Sequence, residues 1–336
     1  MRIRTPAQRA PGLGDINATC QHHRHANGTA GPKSIIPLPA RYYSDDASHW
    51  TDREGRSPQT VEEATAEQQK LVKYLRAAGD AQPNTPLGDH YHDLADIIEG
   101  CRPGRSCHSD ACPMCRRAEQ RWFVGAMQKL LQAVDGELAT ISIIPSVRIR
   151  GGDDLVHMRR QVRKAVQEIH DVVAQAGLSW AIGGIDVSRN IYQEHPAAVG
   201  KKGKFRPFWQ LHLYAFAPFD EAQLAKSKLK EPLARSAATK VPLRVAPKPY
   251  DGHPAALAYG LKSDFTRRFS IPAHEGDDGQ KVRRNTRDKP LTVEEKVQLA
   301  VMLHMLGPGG RLFLHGVDLE NDGNGEPVLR LVQKKG

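Results

Sequence analysis

Two strand-like runs, joined by a basic Gly/Lys loop, lie between Ile185 and Phe216. The run at 209–216 (Trp-Gln-Leu-His-Leu-Tyr-Ala-Phe) alternates polar and apolar side chains, the period of a strand with two different faces. The run at 181–188 (Ala-Ile-Gly-Gly-Ile-Asp-Val-Ser) carries one carboxylate, Asp186. If the runs pair as neighbouring strands, Asp186, Gln210 and His212 converge on one face, and their oxygen and nitrogen donors suit a hard divalent cation. The plainer interpretation is that His212 is a hydrogen-bonded structural residue.

Length and charge limit the class of protein. The chain has 336 residues, which suggests about two domains, and a formal net charge of +10. That excess favours a polyanionic partner, with nucleic acid ahead of a membrane, although a basic surface also serves solubility. No apolar run approaches the roughly 18 residues of a spanning helix, and no hydrophobic leader segment follows the first charges. We therefore expect a cytoplasmic protein without membrane contact.

A cysteine motif is the strongest local signal. Four of the five cysteines fall within fifteen residues: Cys101, Cys107, Cys112 and Cys115. Four thiolates, or three with His108, would complete a tetrahedral zinc shell, whereas a redox Cys-x-x-Cys pair lacks a thioredoxin-like context here. Several arginines surround the motif, among them Arg116 and Arg117, which predicts a phosphate backbone beside it.

Periodicity organises the rest of the chain. Residues 1–57 are expected to be a basic, disordered leader, in which Cys20 and three nearby histidines form either a chance cluster or a metal site. Helical apolar spacing predicts helices at 60–78, 90–98, 122–134, from Asp153 or Asp154 to Gly177, and at 292–306. A buried strand is expected at 138–145, an edge strand at 241–245, a charged loop at 274–290, and a terminal hairpin of strands 311–317 and 327–332.

The stretch from His253 to Arg268 carries a possible nucleophile. Pro254 suits a first helical turn, and Tyr259 and Lys262 are three residues apart, which places them on one helix face. An ammonium there can stabilise a phenolate or neutralise a phosphate. In isolation, a packed tyrosine beside a solvated lysine explains the pair equally well.

The joint order of these motifs resembles the HUH endonucleases, the rolling-circle replication initiators of plasmids and phages. The resemblance rests on the cysteine knuckle, then Leu-Ala-Thr-Ile-Ser-Ile-Ile-Pro, Ile-Asp-Val-Ser-Arg-Asn, Trp-Gln-Leu-His-Leu-Tyr-Ala-Phe and Ala-Tyr-Gly-Leu-Lys, over roughly residues 100 to 268. It implies an α+β fold with a central antiparallel sheet flanked by helices, preceded by a zinc knuckle. It also implies site-specific nicking and joining of single-stranded DNA, or of an origin hairpin, through a 5′-phosphotyrosine.

The resemblance also implies roles for residues. Tyr259 matches the nucleophile and Lys262 its companion, while Asp186, Gln210 and His212 match a Mg²⁺ or Mn²⁺ site. The expected organisation is a leader (1–57), a helical zinc-knuckle segment (58–118), a nicking domain (119–273) and a C-terminal unit (274–336). A host replication helicase or polymerase is a further expected partner. The predicted DNA contacts are Arg116, Arg117, Lys201, Lys202, Lys204, Arg206, Trp209, Arg267 and Arg268.

One position departs from the family pattern. Gln210 stands where the family has the first of two histidines, and an amide carbonyl ligates a hard cation more weakly than imidazole in most settings. Either activity survives with an altered metal site, or the chain is a catalytically inactive, zinc-containing DNA-binding regulator. An RNA-processing protein would instead be favoured by exposed aromatic pairs on the central strands, which the sequence does not offer.

Overall fold

A seven-stranded, mostly antiparallel sheet forms the centre of the fold, flanked by helices, so the α+β prediction is confirmed. The computed structural model describes residues 38–44, 58–152, 154–192, 207–228, 243–271, 274–275, 281–282 and 285–332. The strands are β1 (Leu138–Ile143), β2 (Ala181–Tyr192), β3 (Phe208–Pro218), β4 (Leu243–Val245), β5 (Thr266–Ile271), β6 (His274–Glu275), β7 (Lys281–Val282), β8 (Asn285–Pro290), β9 (Leu312–His315), β10 (Val317–Asn321) and β11 (Pro327–Leu331). The helices are α1 (Arg41–Ser44), α2 (Val61–Asp80), α3 (Pro86–Glu99), α4 (Pro113–Ala133), α5 (Leu155–Ala176), α6 (Phe219–Lys228), α7 (Pro254–Tyr259) and α8 (Val293–Met305).

Strand β2 organises the sheet, whose order is β4-β1-β3-β2-β5-β8. One edge of β2 pairs antiparallel with β3. Two strands share the other edge: β9 runs antiparallel along residues 181–184, and β5 runs parallel along residues 189–192. Between them, the backbone N–H of Ile185 donates to the carbonyl of Arg311 at 2.7 Å. The edge of β2 is therefore completed by two separate segments of the chain, residues 311–315 and β5.

The two faces of the sheet differ in character. Ile185, Val187, Leu211 and Leu213 point to one face and share a hydrophobic core with α5 and α8. On the other face Ile182 and Phe216 pack in a second cluster with α4 and α7. Further along β2 and β3, the side chains on this second face are polar and buried, because alternate residues of a strand share a face.

Local signals explain where the helices begin. Asp154 accepts a hydrogen bond from the backbone of His157 and caps α5, which ends at Gly177 in the left-handed conformation (φ 69°). Thr292 opens α8 with a capping box. His253 accepts from the backbone of Ala255 through its ring, and Pro254 fills the first turn of α7. These caps fix the start of the short helix that ends in Tyr259.

Two sequence-based assignments near the C-terminus were wrong. The strand 312–315 pairs with β2 in the central sheet, and the hairpin is formed by β10 with β11. Gly316 (φ 62°) separates β9 from β10, and the buried Leu312 and Phe313 draw β9 into the core. The expected charged loop contains β8, which pairs antiparallel with β5. Its residues 287–289 are charged and exposed, which the edge position of the strand permits.

No helix in the described part of the chain has the length and apolar character needed to cross a membrane.

Candidate functional site

The cysteine cluster, defined as Cys101, Cys107, Cys112 and Cys115, brings four sulfur atoms within 4.8 Å of one another. The Sγ of Cys115 lies 3.5 Å from that of Cys101 and 3.6 Å from that of Cys107. A tetrahedral ion with metal–sulfur bonds of about 2.3 Å needs sulfur separations of about 3.8 Å, so the cluster fits a metal such as zinc. Hydrogen bonds from the three other thiols lower the pKa of Cys115, which favours a thiolate there.

Neighbouring hydroxyls support the cluster. Ser106 Oγ lies 3.3 Å from Cys115 Sγ and accepts a hydrogen bond from the Tyr43 hydroxyl at 2.8 Å. His108, the alternative fourth ligand, adopts a left-handed backbone (φ 52°), and its Nδ1 lies 3.4 Å from Ser106 Oγ, outside the sulfur group. The four-thiol arrangement is therefore the one that the loop forms. Cys20 and its neighbouring histidines lie outside the described residues.

Arg116 and Arg117 do not face solvent, so the prediction that they contact a phosphate backbone was wrong. Arg117, with 1% of its surface exposed, donates to the carbonyls of Gln59 and Tyr42. Arg116 is also buried and donates to the carbonyl of Ala111 at 2.7 Å and to Glu67 at 2.9 Å. Both arginines lie near the start of α4 and point to the interior, where Arg116 holds the cysteine loop through Ala111 and Arg117 holds α1 through Tyr42.

A second polar group, the sheet-face site, consists of Asp186, His212, Tyr214, Tyr259 and Lys262. The register of β2 and β3 places Asp186 opposite His212 and Ser188 opposite Gln210. Because side chains alternate along a strand, all four point to one face, and the predicted convergence of Asp186, Gln210 and His212 on one face is confirmed. Asp186 and His212 are both buried.

Lys262 supplies a cation to this site. Its Nζ lies 3.3 Å from Asp186 Oδ2. Burial lowers the pKa of Lys262, but the charges of Asp186, Tyr259 and Asp264, with the hydrogen bond to Asp186, together outweigh it, so the net pKa is raised and the ammonium stays charged. Burial raises the pKa of Asp186, while Lys262 and Arg311 oppose that rise. Among the described atoms, Asp186 Oδ1 is buried without a hydrogen-bond partner.

The environment of His212 is electropositive. Burial, followed by the charges of Arg268, Lys262 and Arg244, lowers the pKa of His212 to about 3. The imidazole is therefore neutral at physiological pH, the form that binds a metal or accepts a proton. Its Nε2 lies 3.5 Å from Ser188 Oγ. Three cations around one neutral imidazole also create a field that attracts an anion such as phosphate.

Gln210 is anchored by its amide nitrogen. Nε2 donates to the carbonyls of Pro145 (2.8 Å) and Val147 (3.1 Å), on the loop that follows β1. These two hydrogen bonds fix the orientation of the amide, so its carbonyl oxygen is the atom that can act as a ligand to a cation.

Two tyrosines meet beside Lys262. The rings of Tyr259 and Tyr214 are edge to face, with centroids 4.7 Å apart and an interplanar angle of 88°. The ammonium of Lys262 lies 5.2 Å from the centroid of the Tyr259 ring. Burial, then the charges of Tyr259 and Asp186 and a hydrogen bond with Tyr259, raise the pKa of Tyr214 well above its usual range. Tyr214 therefore remains a protonated donor beside Tyr259, which is 44% exposed.

The sequence predicts that Tyr259 and Lys262 share one helix face, but α7 ends at Tyr259, before Lys262. Lys262 nevertheless stays beside Tyr259, because its backbone N–H donates to the Tyr259 carbonyl in the turn that follows. Gly260 sits directly on β2: a Cβ at this position would lie 2.9 Å from the Gly184 nitrogen and 3.1 Å from the Tyr214 carbonyl oxygen. The glycine contact thus sets the distance between the tyrosine and the sheet.

A cleft of about 930 Å³ opens beside Tyr259 and Lys262. Its walls come from α2, α8 and the β5–β8 hairpin, and include Tyr74 and Phe265. The exposed tyrosine therefore lies at the edge of a space large enough for a chain of several linked groups.

The other predicted DNA contacts have mixed outcomes. Trp209 is 1% exposed and was wrongly expected to stack on bases, because it faces the core beneath Arg189. Arg267 turns to the helix side, where it pairs with Glu295 at 3.3 Å. Arg268 is in register with Asn190, on the face of the sheet-face site, and pairs with Asp288 at 3.5 Å. Lys201, Lys202, Lys204 and Arg206 lie outside the described residues.

Sequence reasoning missed three members of this environment. Tyr214 belongs to the alternating strand pattern, and that alternation places it on the face of His212. Arg244 reaches the same field from β4, whose pairing with β1 the sequence does not specify. Arg311 lies behind the site, and no local pattern marks it.

Comparison of the chain with protein-family models, with curated proteins and with solved structures returned no match to any of them.

Proposed function

We propose that this protein is a replication initiator that nicks and joins single-stranded DNA at an origin, through a covalent bond between Tyr259 and a 5′-phosphate. One observation carries the proposal: an exposed tyrosine, a charged lysine, a buried carboxylate and a neutral imidazole meet on one sheet face at the mouth of a cleft. This group combines a nucleophile with the charges that phosphoryl transfer requires.

In the proposed reaction, the Tyr259 oxygen attacks the phosphorus of a DNA phosphodiester. A tyrosine–phosphate bond forms and the bond from phosphorus to the 3′-oxygen breaks. The tyrosine loses its phenolic proton, and the released 3′-oxygen gains one to become a hydroxyl. The reverse attack by a 3′-hydroxyl rejoins a strand and frees the tyrosine. One reactive tyrosine thus supports one cleavage followed by one joining.

The neighbouring side chains act on charge and position. The Lys262 ammonium lies 5.2 Å from the centroid of the Tyr259 ring, from where it would stabilise negative charge on the phenol oxygen or on a bound phosphate, and such preorganised charges are often the largest contribution to rate. Tyr214, kept protonated, donates a hydrogen bond towards Tyr259. The field of Arg244, Arg268 and Lys262 draws the phosphate to the face of His212.

We also propose a divalent cation at this site, on the chemistry of its donor atoms. The donor set would be Asp186 Oδ1, which is buried and unpartnered in the described structure, the Gln210 carbonyl oxygen and the neutral His212 ring. Mg²⁺ or Mn²⁺ held there would polarise a phosphoryl oxygen. Zinc is the ion we propose for the cysteine cluster, in a structural role.

The test is covalent trapping. We expect wild-type protein, incubated with Mn²⁺ and labelled single-stranded origin-like oligonucleotides, to give a denaturation-resistant protein–DNA band that disappears in Tyr259→Phe. Tyr250→Phe is the matched control, because it removes a phenol hydroxyl that binds the His253 carbonyl. If no band forms while the protein still shifts the same DNA in a native gel, the catalytic proposal fails, and a zinc-containing DNA-binding regulator becomes the better account.

The metal requirement has its own test, through Gln210→His. An imidazole at this position would strengthen the oxygen and nitrogen donor set, so half-maximal band formation should require about tenfold less Mn²⁺, as expected for a change of roughly 1.4 kcal/mol in binding. An unchanged Mn²⁺ requirement would show that Gln210 is not a ligand. The proposal further includes a plasmid or phage origin as the substrate, a host helicase or polymerase as partner, and a cytoplasmic location.

A further inference from the structure

Arg311 is a fully buried arginine at the edge of β2, between β9 and β5. Its guanidinium donates to three backbone carbonyls: Nε to Ile185 at 2.9 Å, and Nη2 to Lys262 at 3.0 Å and Gly260 at 3.3 Å. Each carbonyl belongs to or adjoins a residue of the sheet-face site. Ile185 precedes Asp186, Gly260 follows Tyr259, and Lys262 is itself a member.

The backbone of Arg311 reaches the cysteine cluster. Its N–H donates to Asp110 Oδ2 at 3.0 Å, and Asp110 lies in the loop between Cys107 and Cys112. Arg116, one residue after Cys115, donates to the carbonyl of Ala111 in the same loop. The loop that carries the thiols is therefore bonded directly to the residue that holds the site.

A buried guanidinium is costly unless it is fully paired. Burial lowers the pKa of Arg311, while the charges of Asp110 and Asp186 oppose that shift. Its ring contact with Phe265, 5.1 Å from the centroid, covers it on the side of the cleft. Replacing such a charge by packed apolar groups is often neutral or stabilising, so stability alone is a weak reason for this arrangement.

We infer that Arg311 is a positioning residue that couples the cysteine cluster to the sheet-face site. When the four thiols hold their ion, Asp110 is fixed, Arg311 is held at the β2 edge, and the carbonyls of Gly260 and Lys262 are locked to the strand that bears Asp186. Loss of the ion releases this chain of contacts, and Tyr259 and Lys262 lose their alignment with Asp186. A displacement of about 1 Å at a reacting group lowers a rate roughly a hundredfold.

The chemical part of this inference rests on the proposed function, and the structural part does not. The first measurement therefore uses no DNA: hydrogen–deuterium exchange of residues 254–265 in wild type, Arg311→Lys and Arg117→Lys. Lysine at 311 keeps the charge but loses the forked donors, so exchange in this segment should rise about tenfold or more. Arg117 is as deeply buried and also binds backbone carbonyls, but at α1, so Arg117→Lys should leave the segment unchanged.

Metal removal tests the other end of the contact chain. Chelation of the cysteine-bound ion in wild type should raise exchange in residues 254–265 as Arg311→Lys does, and should add little in Arg311→Lys. Asp110→Asn, which removes the charge and keeps the side-chain shape, should give a smaller rise of the same kind. If Arg311→Lys folds poorly, Asp110→Asn alone decides the question. Unchanged exchange after chelation, or a rise confined to residues 101–115, would overturn the coupling.

If wild type forms the covalent DNA band, the rate gives a second readout. Arg311→Lys should slow band formation about a hundredfold with DNA affinity within about threefold, since positioning acts on the transition state. Arg311→Ala should recover rate when millimolar guanidinium is added, and a purely structural defect would not. Equal loss of affinity and rate, without rescue, would overturn the positioning role. Absence of any band in wild type refutes the proposed nuclease but leaves the exchange experiments decisive for the coupling.

Discussion

The cysteine cluster and the sheet-face site are two polar centres whose donors are used differently. In the cluster four identical sulfur atoms face one another, and their neighbours contact those sulfurs. In the sheet-face site the donors are mixed, one carboxylate oxygen is unpartnered among the described atoms, and the tyrosine is 44% exposed. A centre that directs every donor inward suits an ion that stays. A centre that keeps a donor and a phenol hydroxyl available suits a ligand that comes and goes.

The largest effect should come from breaking the cluster. Cys112→Ser removes one of four thiolates, and because structural zinc sites contribute about 10 kcal/mol to folding, we expect loss of the ion and a fall of at least about 5 kcal/mol in unfolding free energy. Metal analysis and thermal unfolding measure both. Ser106→Ala, next to Cys115, should keep the ion. A variant that retains one ion and the wild-type melting temperature would remove the distinction between the two centres.

Lys262→Met should separate stability from chemistry. It leaves Asp186 buried without its cation, which costs about 3 kcal/mol of unfolding free energy, and lowers the rate of band formation about 10² to 10³-fold. Adding Asp186→Asn removes the unpaired charge, so the double variant should regain stability without regaining rate. Urea unfolding and single-turnover trapping report the two quantities. If the double variant regained both stability and the rate of band formation, Lys262 would act only through folding.

Tyr214→Phe should give a smaller and purely chemical effect. Loss of a hydrogen bond towards a charged oxygen costs about 1.5 to 3 kcal/mol, which corresponds to a roughly 10- to 100-fold slower band formation. DNA affinity and melting temperature should stay close to wild type, since the ring remains. Tyr250→Phe again serves as the control. An unaltered rate in Tyr214→Phe would remove Tyr214 from the site.

The smallest effect concerns acid stability near the cluster. Burial, with the charges of His90 and Arg159, lowers the pKa of His304 to about 4, and His304 Nδ1 lies 3.1 Å from Ser109 Oγ in the cysteine loop. A histidine is near 6.5 when unfolded, so its contribution is present above pH 6.5 and is lost as the pH falls towards 4, up to about 3 kcal/mol.

His304→Gln should therefore flatten the fall in unfolding free energy between pH 7 and pH 4.5, measured by urea titration. The matched control is His157→Gln, which replaces an exposed histidine on α5 by the same residue type. An equal slope in His304→Gln and wild type would assign the acid sensitivity to other groups.

Spacing and periodicity predicted those parts of each centre that depend on nearby residues. The four cysteines lie within fifteen positions, so their convergence follows from a single loop. The opposition of Asp186 and His212 follows from alternation once two strands pair. By contrast, Arg311 contacts residues 49 to 201 positions away, through a strand assigned to the wrong hairpin. Long-range pairing depends on packing that no local window contains.

Buried polar residues misled the sequence interpretation in a consistent way. Arg116, Arg117 and Trp209 were expected at a nucleic-acid surface because such side chains often bind phosphates and bases. Each instead satisfies interior carbonyls or packs in the core. The charged residues of β8 also led to the prediction of a loop there, although an edge strand can carry charged side chains. Side-chain direction, rather than residue type, decides these cases.

The contact between Gly184 and Gly260 limits how this protein can be redesigned. Gly260 has an ordinary right-handed backbone (φ −64°), so a table of backbone preferences would rate alanine as harmless there. The same methyl group would collide with β2 and lift the end of α7 from the sheet. Libraries meant to move the tyrosine should therefore vary the start of α7 around Ala255 and leave both glycines unchanged. The contact between the two glycine backbones fixes the distance between the end of α7 and β2.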